Sequence, residues 1–191
     1  MSSSLCYATP EEFVKAVDPS LEFLKRFKGS CSMGDLVCQV RRENIFYVLK
    51  ARARFNPQFS FLSFERYALG KLSDVAGISH LVSDYGVIDR TFLTILKEYA
   101  TGKVLSPVGG IDVGDIPLSY RENLWSQLTD TVRALTSKGY FALDIVGRNL
   151  VVSPNYQQIT LVDAFYNTKD QIADIPLQMI DILFRENPKS T

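Results

Sequence analysis

Two short apolar runs near the end of the chain are separated by a turn sequence and flanked by acidic and amide side chains. Residues 153–155 are Ser-Pro-Asn, which predicts a turn between two strands. Asp144 and Asn149 precede the first run, and Asp163 follows the second. A loop–hairpin–loop of this kind brings three oxygen-bearing side chains to one place, as divalent-metal and phosphoryl-transfer chemistry requires. The segment 141–165 therefore predicts a hairpin with a metal or phosphate site.

The composition is that of a folded protein with no generic affinity for polyanions. The chain has 191 residues, of which 46% are hydrophobic and 22% charged, enough for one domain or one small two-lobed unit. Its 21 basic residues balance 21 acidic ones, which disfavours electrostatic binding to nucleic acid or an anionic membrane. No apolar run approaches the roughly 18–20 residues that a membrane span needs. Three cysteines without metal-ligand spacing indicate a reducing compartment.

The first half of the chain predicts an N-terminal helix, a set of strands and a second helix. Thr9 and Pro10 are a helix cap and first residue, and Glu12 stands three positions after the cap. Apolar runs then predict strands over 36–40, 45–49, 85–87 and 92–96, and over 21–27 a strand or a second turn of the first helix. Helical spacing predicts a helix over 60–75. The predicted fold class is therefore α+β.

A small-residue segment lies between the first two predicted strands. Backbone amides approach phosphate oxygens only where side chains are small or absent. The segment is therefore a candidate phosphate-covering loop, although a plain hairpin turn has the same composition. Its candidate ligand-binding residues are Gly29, Ser30, Cys31, Ser32 and Gly34.

A lysine and a glutamate form the next candidate pair. Lys50 follows the apolar run 46–49 and is predicted to end that strand. Glu65 lies within the apolar stripe of the predicted helix, where a buried acid needs a partner. We expect that partner to be Lys50, and the alternative is a glutamate at a solvated rim.

A long amphipathic helix precedes the hairpin. Ser119 and Glu122 have capping-box spacing, and Gly139 is a stop signal. Apolar residues at helical spacing predict its buried face at Leu124, Leu128, Val132 and Leu135. Pro176 is predicted to open a final helix.

Taken in order, these features resemble the landmarks of protein kinases, whose catalytic loop has the pattern Asp-x-x-x-x-Asn. The resemblance implies a single two-lobed kinase-like domain over 1–191. Residues 1–98 would form a sheet-rich N-lobe with the N-terminal helix and one Glu-bearing helix, and residues 99–191 a reduced helical C-lobe. The landmarks are the glycine loop, Lys50, Glu65, a hinge over 97–102, and the set Asp144, Asn149 and Asp163.

The same resemblance implies ATP and Mg²⁺ as cofactors. Lys50, held by Glu65, would bind the α- and β-phosphates, and Asp144 would accept the proton of the substrate hydroxyl. Asn149 and Asp163 would hold the metal.

The hinge and the catalytic loop complete this assignment. Glu98 and Ala100 would bind adenine through their backbone groups, and Lys97 would stand at or near the back of the nucleotide pocket. Val146 replaces the catalytic-loop lysine of kinases, and Arg148 could substitute for it.

The chain also departs from ordinary kinases. Ala142-Leu143-Asp144 replaces His-Arg-Asp, and Asp163-Ala164-Phe165 replaces Asp-Phe-Gly. The chain has no Ala-Pro-Glu after Asp163, and most of the helical C-lobe is missing. Its size and motif order resemble the HopBF family of bacterial type III effector kinases. That resemblance implies a monomeric Ser/Thr kinase, secreted into the host cytoplasm, that phosphorylates the HSP90 chaperone.

Three alternatives stay open. The first is a pseudokinase that binds nucleotide or a partner without turnover. The second is a small atypical kinase of the KEOPS type, although the basic C-terminal tail of that family is not evident. The third is a small-molecule kinase of the aminoglycoside type, which normally has a larger C-terminal lobe.

Overall fold

The computed structural model of the chain describes residues 7, 9–27, 34–106, 110–140, 145–163, 180 and 184. Within these residues the protein is α+β, with two antiparallel sheets and three α-helices, so the predicted class is confirmed. The chain divides into two compact units. The first comprises the described parts of Met1–Tyr67 and His80–Tyr99, and the second those of Ala68–Ser79 and Ala100–Thr191.

A five-stranded antiparallel sheet forms the centre of the first unit. Its strand order is β1-β2-β3-β5-β4, which makes β3 the central strand. Each strand predicted from the apolar runs is present, most with longer bounds. The strands are β1 (Glu22–Arg26), β2 (Asp35–Arg42), β3 (Ile45–Ala53), β4 (Leu81–Ile88) and β5 (Phe92–Glu98).

The first helix, α1 (Pro10–Val17), starts where the capping sequence predicts. The side chain of Thr9 accepts a hydrogen bond from the backbone N–H of Glu12 at 3.2 Å. Phe13 of α1 is buried against the sheet, and its ring meets that of Phe92 edge-on at 5.1 Å. The helix therefore covers one apolar face of the sheet.

The second helix, α2 (Phe59–Leu69), is shorter than the predicted helix over 60–75. Gly70 follows its last residue, and glycine in a helix interior costs about 1 kcal/mol relative to alanine. Leu72 and Val75 are nevertheless buried, since tight turns after α2 keep them in the core. The apolar spacing thus predicted burial correctly and helix length wrongly.

The third helix, α3 (Leu118–Ser137), belongs to the second unit, and the capping box predicted for it is wrong. Pro117 is the N-cap residue and no side chain caps the helix, so Ser119 lies in its first turn and Glu122 lies after that turn. Proline has a fixed φ and needs no hydrogen-bond partner for an N–H, which lets the helix start directly after it. The predicted buried face is confirmed at Leu124, Leu128, Val132 and Leu135.

A three-stranded antiparallel sheet completes the described part of the second unit. It is formed by β6 (Lys103–Val104), β7 (Leu150–Val152) and β8 (Ile159–Leu161), so the hairpin predicted within 141–165 is confirmed. Of the predicted final helix, Ile180 and Phe184 are described, and both are helical and buried. Pro176 lies outside the described residues. Among the described helices, none combines the length and apolarity that crossing a membrane requires.

Candidate functional site

Lys50 and Glu65 form a buried ion pair in the first unit. The ammonium of Lys50 donates to Oε1 of Glu65 at 3.0 Å and to Oε2 at 2.9 Å. Lys50 is 6% exposed and Glu65 5% exposed. The predicted pairing is therefore confirmed, and the alternative of a rim glutamate is wrong.

The position of Lys50 differs from the prediction in one respect. Lys50 lies inside β3, opposite Val37 of β2 and Ile95 of β5, and the strand continues to Ala53. A central strand has hydrogen-bonded neighbours on both sides, so its side chains are fixed in direction. The lysine is thus held on the face of the sheet from which it reaches Glu65 of α2, and it does not extend from a strand end into water.

A second lysine, Lys97 of β5, also donates to Oε1 of Glu65. Lys97 is 2% exposed, which makes it more deeply buried than Lys50. In the sheet Lys97 is opposite Val48, two residues before Lys50 on β3. Since side chains alternate along a strand, both lysines lie on the same face of the sheet.

The kinase resemblance implies a position for Lys97 at or near the back of a nucleotide pocket, and a bond from Lys97 to Glu65 was not predicted. One signal was available: Lys97 directly follows the apolar run 92–96 of a predicted strand, where a charged side chain has to find a partner. That Glu65 is the partner of Lys97 depends on the β3–β5 register, which the periodicity of apolar residues does not predict. The structure therefore extends the predicted pair to a triad, defined here as Lys50, Glu65 and Lys97.

The triad places two ammonium groups on one carboxylate in a site screened from water. Charge-assisted hydrogen bonds are shorter and stronger than neutral ones, and in a buried site the surrounding dielectric weakens them less. The carboxylate is held through both of its oxygens, so its rotamer is fixed. Chemically, such a group can present a preoriented cation to an anionic ligand.

In the second unit, Asn149 and Asp163 lie at the same end of the β7–β8 hairpin. Leu150 pairs with Leu161, and the backbone N–H of Val162 donates to the carbonyl of Asn149 at 2.8 Å. Asp163 is the next residue along the chain and is exposed, whereas Asn149 is 7% exposed. The hairpin register thus brings the two predicted metal-binding residues to one edge.

A 3₁₀ turn, Gly147–Asn149, leads into β7 and fixes the start of the hairpin. A Cβ atom at Gly147 would lie 1.8 Å from the carbonyl oxygen of Leu105, so only glycine permits this approach of the two backbones. Leu105 in turn donates its N–H to the carbonyl of Leu150 at 2.8 Å. Arg148, the predicted substitute for the kinase lysine, is an exposed residue of the same turn.

The predicted phosphate-covering loop is described only at its end. Gly34 precedes β2, and its carbonyl accepts the N–H of Ala53 at 2.7 Å. Gly29, Ser30, Cys31 and Ser32 lie outside the described residues, as does the predicted catalytic residue Asp144. These assignments stay predictions.

The predicted hinge over 97–102 overlaps the end of β5. Glu98 is the last residue of that strand and is exposed, and Ala100 lies two residues further on, outside regular structure. The backbone N–H of Glu98 donates to the carbonyl of His80 at 2.9 Å, and its carboxylate accepts the N–H of His80 at 3.1 Å. His80 directly precedes β4, and both contacts use its backbone groups.

The chemistry of the described residues limits the metal hypothesis. Within the part of the chain that the structure describes, no group of three or more His, Cys, Asp or Glu side chains could hold a metal ion by itself. Asn149 and Asp163 supply two oxygen donors, which fits Mg²⁺, because this ion usually takes one or two carboxylates together with substrate phosphates. No protein-family model matches the chain, and no curated protein matches it.

Proposed function

We propose that the chain is an ATP- and Mg²⁺-dependent Ser/Thr protein kinase of reduced size with a two-lobed kinase-like fold. The observation that carries the proposal is the buried bond from Lys50, on the central strand of an antiparallel sheet, to Glu65, on the helix that follows that strand. Kinases orient their phosphate-binding lysine by a strand-to-helix ion pair of this kind.

The hairpin of the second unit supports the same function. Asn149 and Asp163 are the residues that would hold Mg²⁺, and their shared edge on the hairpin fits that role. Bound there, Mg²⁺ would neutralise charge on the phosphates of ATP. Both residues occur in the order that the Asp-x-x-x-x-Asn and metal-loop patterns require.

In the proposed reaction the residues of the chain act chiefly by position and charge. Lys50, oriented by Glu65, binds the α- and β-phosphates, and the amides of residues 29–34 cover them. Asp144 takes up the proton of the acceptor hydroxyl, and Arg148 stabilises negative charge on the transferred phosphoryl group. Such positioning and charge stabilisation account for most of the catalysis in phosphoryl transfer.

The proposed acceptor is a serine or threonine of a eukaryotic host protein. This part of the proposal rests on the resemblance to the HopBF type III effector kinases, which implies secretion into the host cytoplasm and HSP90 as substrate. The balance of 21 basic and 21 acidic residues fits a protein substrate better than a polyanion.

The test is transfer of labelled γ-phosphate from Mg·ATP to a eukaryotic lysate and to purified HSP90, with wild type and Asp163→Ala. We expect a labelled band with wild type and none with the variant. Asp163 is exposed, so the variant should fold normally. Asp130→Ala is the matched control, because Asp130 is a 71% exposed carboxylate on α3 and its loss should leave transfer unchanged.

Each outcome has a definite meaning. Equal labelling by wild type and Asp163→Ala overturns the metal assignment. Nucleotide binding by wild type without transfer to any protein in the lysate favours the pseudokinase, a possibility that Val146 in place of the kinase lysine keeps open. Absence of nucleotide binding overturns the kinase proposal.

A further inference from the structure

We propose that Lys97 is a positioning residue of the polyphosphate subsite, which holds Glu65 in place and adds positive potential at Lys50. It thereby makes nucleotide affinity depend on the number of phosphates. The inference rests on the proposed nucleotide-binding function of the same site. The kinase pattern gives roles to the strand lysine and the helix glutamate. It gives none to Lys97.

The geometry couples Lys97 to Lys50 through one atom. Oε1 of Glu65 accepts from Lys97 and, at 3.0 Å, from Lys50, while Oε2 accepts from Lys50 at 2.9 Å. The bond from Lys97 restrains the same carboxylate that holds Lys50. Any change at Lys97 therefore reaches Lys50 by way of Glu65.

The burial of Lys97 excludes direct contact with a ligand in this structure. With 2% of its surface exposed, its ammonium can act on an anion through its field and through Glu65. The three side chains of the triad carry two positive charges and one negative. An anion that binds against Lys50 gains attraction from both ammonium groups, and in a buried site this attraction is weakly screened.

Stability alone does not account for a lysine at this position. One lysine is enough to pair with Glu65, and the five preceding residues of β5 are all buried without a charged side chain. Burying a further ammonium group is costly even when it is hydrogen-bonded, and an apolar residue of similar size would serve the packing equally well. The contact with Glu65 links the charge of Lys97 to Lys50.

The test measures binding of adenosine, ADP and ATP to the full chain by calorimetry, in the presence of Mg²⁺. Lys97→Met removes the charge and the hydrogen bond, and Lys97→Gln removes the charge while keeping a donor for Glu65. We expect both variants to weaken ATP binding about tenfold, the scale of one unit charge acting across a partly screened site. The loss should be smaller for ADP and absent for adenosine.

The matched control is Lys15→Met, because Lys15 is an exposed lysine on α1 and its removal changes the net charge by the same amount. It should leave all three affinities unchanged. A structural role for Lys97 would lower the affinities for adenosine and ATP together, or shift only the unfolding temperature, and either result overturns the inference. If Lys97→Met does not fold, the binding measurement is made with Lys97→Gln alone.

The failure of this inference is distinguishable from the failure of the proposed function. If Lys50→Met weakens ATP binding and neither Lys97 variant does, the inference is wrong and the nucleotide site stands. If wild type binds no nucleotide, the kinase proposal fails, and inorganic tripolyphosphate becomes the probe. Binding of that anion, lost in both Lys97 variants, would still support an anion subsite, and its absence would overturn the inference as well.

Discussion

Lys50 donates to both carboxylate oxygens of Glu65, at 3.0 Å and 2.9 Å, and so joins the central strand of the sheet to α2. The bond is buried, and Lys97 of β5 donates to the same carboxylate. A buried ion pair contributes little net stability compared with a well-packed apolar pair, yet breaking it is costly. The pair therefore makes the position of α2 dependent on two charged side chains.

Removing Glu65 should destabilise the fold more than removing Lys50. Glu65→Gln takes the carboxylate from two buried ammonium groups and should lower the free energy of unfolding by about 3–5 kcal/mol. Lys50→Met leaves Glu65 bonded to Lys97 and should cost clearly less. Urea denaturation of both variants measures the difference, with the exposed Glu122→Gln as control. A larger loss for Lys50→Met would contradict the shared role of Glu65.

Asp18 should make stability depend on acid pH. Its pKa lies below the ordinary 3.8, chiefly because the Ser20 hydroxyl donates to the carboxylate at 2.6 Å, with further help from the Tyr85 hydroxyl at 2.7 Å. A depressed pKa contributes stability above the unfolded value, and this contribution is lost as the pH falls through the folded value.

The variant Asp18→Asn measures this contribution. The difference in unfolding free energy between wild type and variant should be constant from about pH 5 to 7 and shrink as the pH falls below about 4. Denaturation at a series of pH values provides the measurement. Asp130→Asn, on an exposed carboxylate of α3, is the matched control variant. If the difference in unfolding free energy did not change with pH, Asp18 would not contribute to the acid sensitivity of the fold.

Gly77 should not tolerate a side chain. Its φ is +80°, and an added Cβ would lie 2.1 Å from Oγ1 of Thr131 on α3. Gly77→Ala should therefore cost about 2–5 kcal/mol, from backbone strain and overpacking together. Gly139 has a similar φ of +86° but open space around it, so Gly139→Ala should cost only about 1–2 kcal/mol.

The two glycine variants separate steric clash from backbone strain. Thermal unfolding measures the loss of stability in each glycine variant. Adding Thr131→Ala to Gly77→Ala should recover part of the lost stability, because it removes the clashing oxygen. Equal losses of unfolding free energy in the two glycine variants would mean that the Thr131 side chain moves aside without destabilising the fold.

Cys38 should be inert toward alkylation in the folded protein. The thiol is fully buried in β2, and burial raises its pKa to about 12. Since the thiolate is the nucleophile, iodoacetamide at about pH 8 should label Cys38 far more slowly in the native state than in denaturant. Mass spectrometry of the peptide that contains Cys38 measures both rates. Fast native labelling would show that β2 opens on the timescale of the reaction.

The local signals in the sequence predicted the elements but misjudged their ends. Thr9 and Pro10 gave the start of α1, and the Ser-Pro-Asn turn gave the β7–β8 hairpin, because caps and turns depend on neighbouring residues alone. The helix predicted over 60–75 was too long, since burial of Leu72 and Val75 persists after the helical hydrogen bonds end at Gly70. Periodicity reports which residues are buried, and tertiary packing can bury them in turns.

The sequence by itself determined the α+β class, the order of the helices and of every strand except β6, and the need of Glu65 for a cationic partner. These properties follow from apolar spacing and from the cost of burying a charge. Only the tertiary structure decided that Glu65 is shared by Lys50 and Lys97, and that Asn149 and Asp163 lie at one edge of a hairpin. Both arrangements depend on strand register, which is set by contacts between residues far apart in the chain.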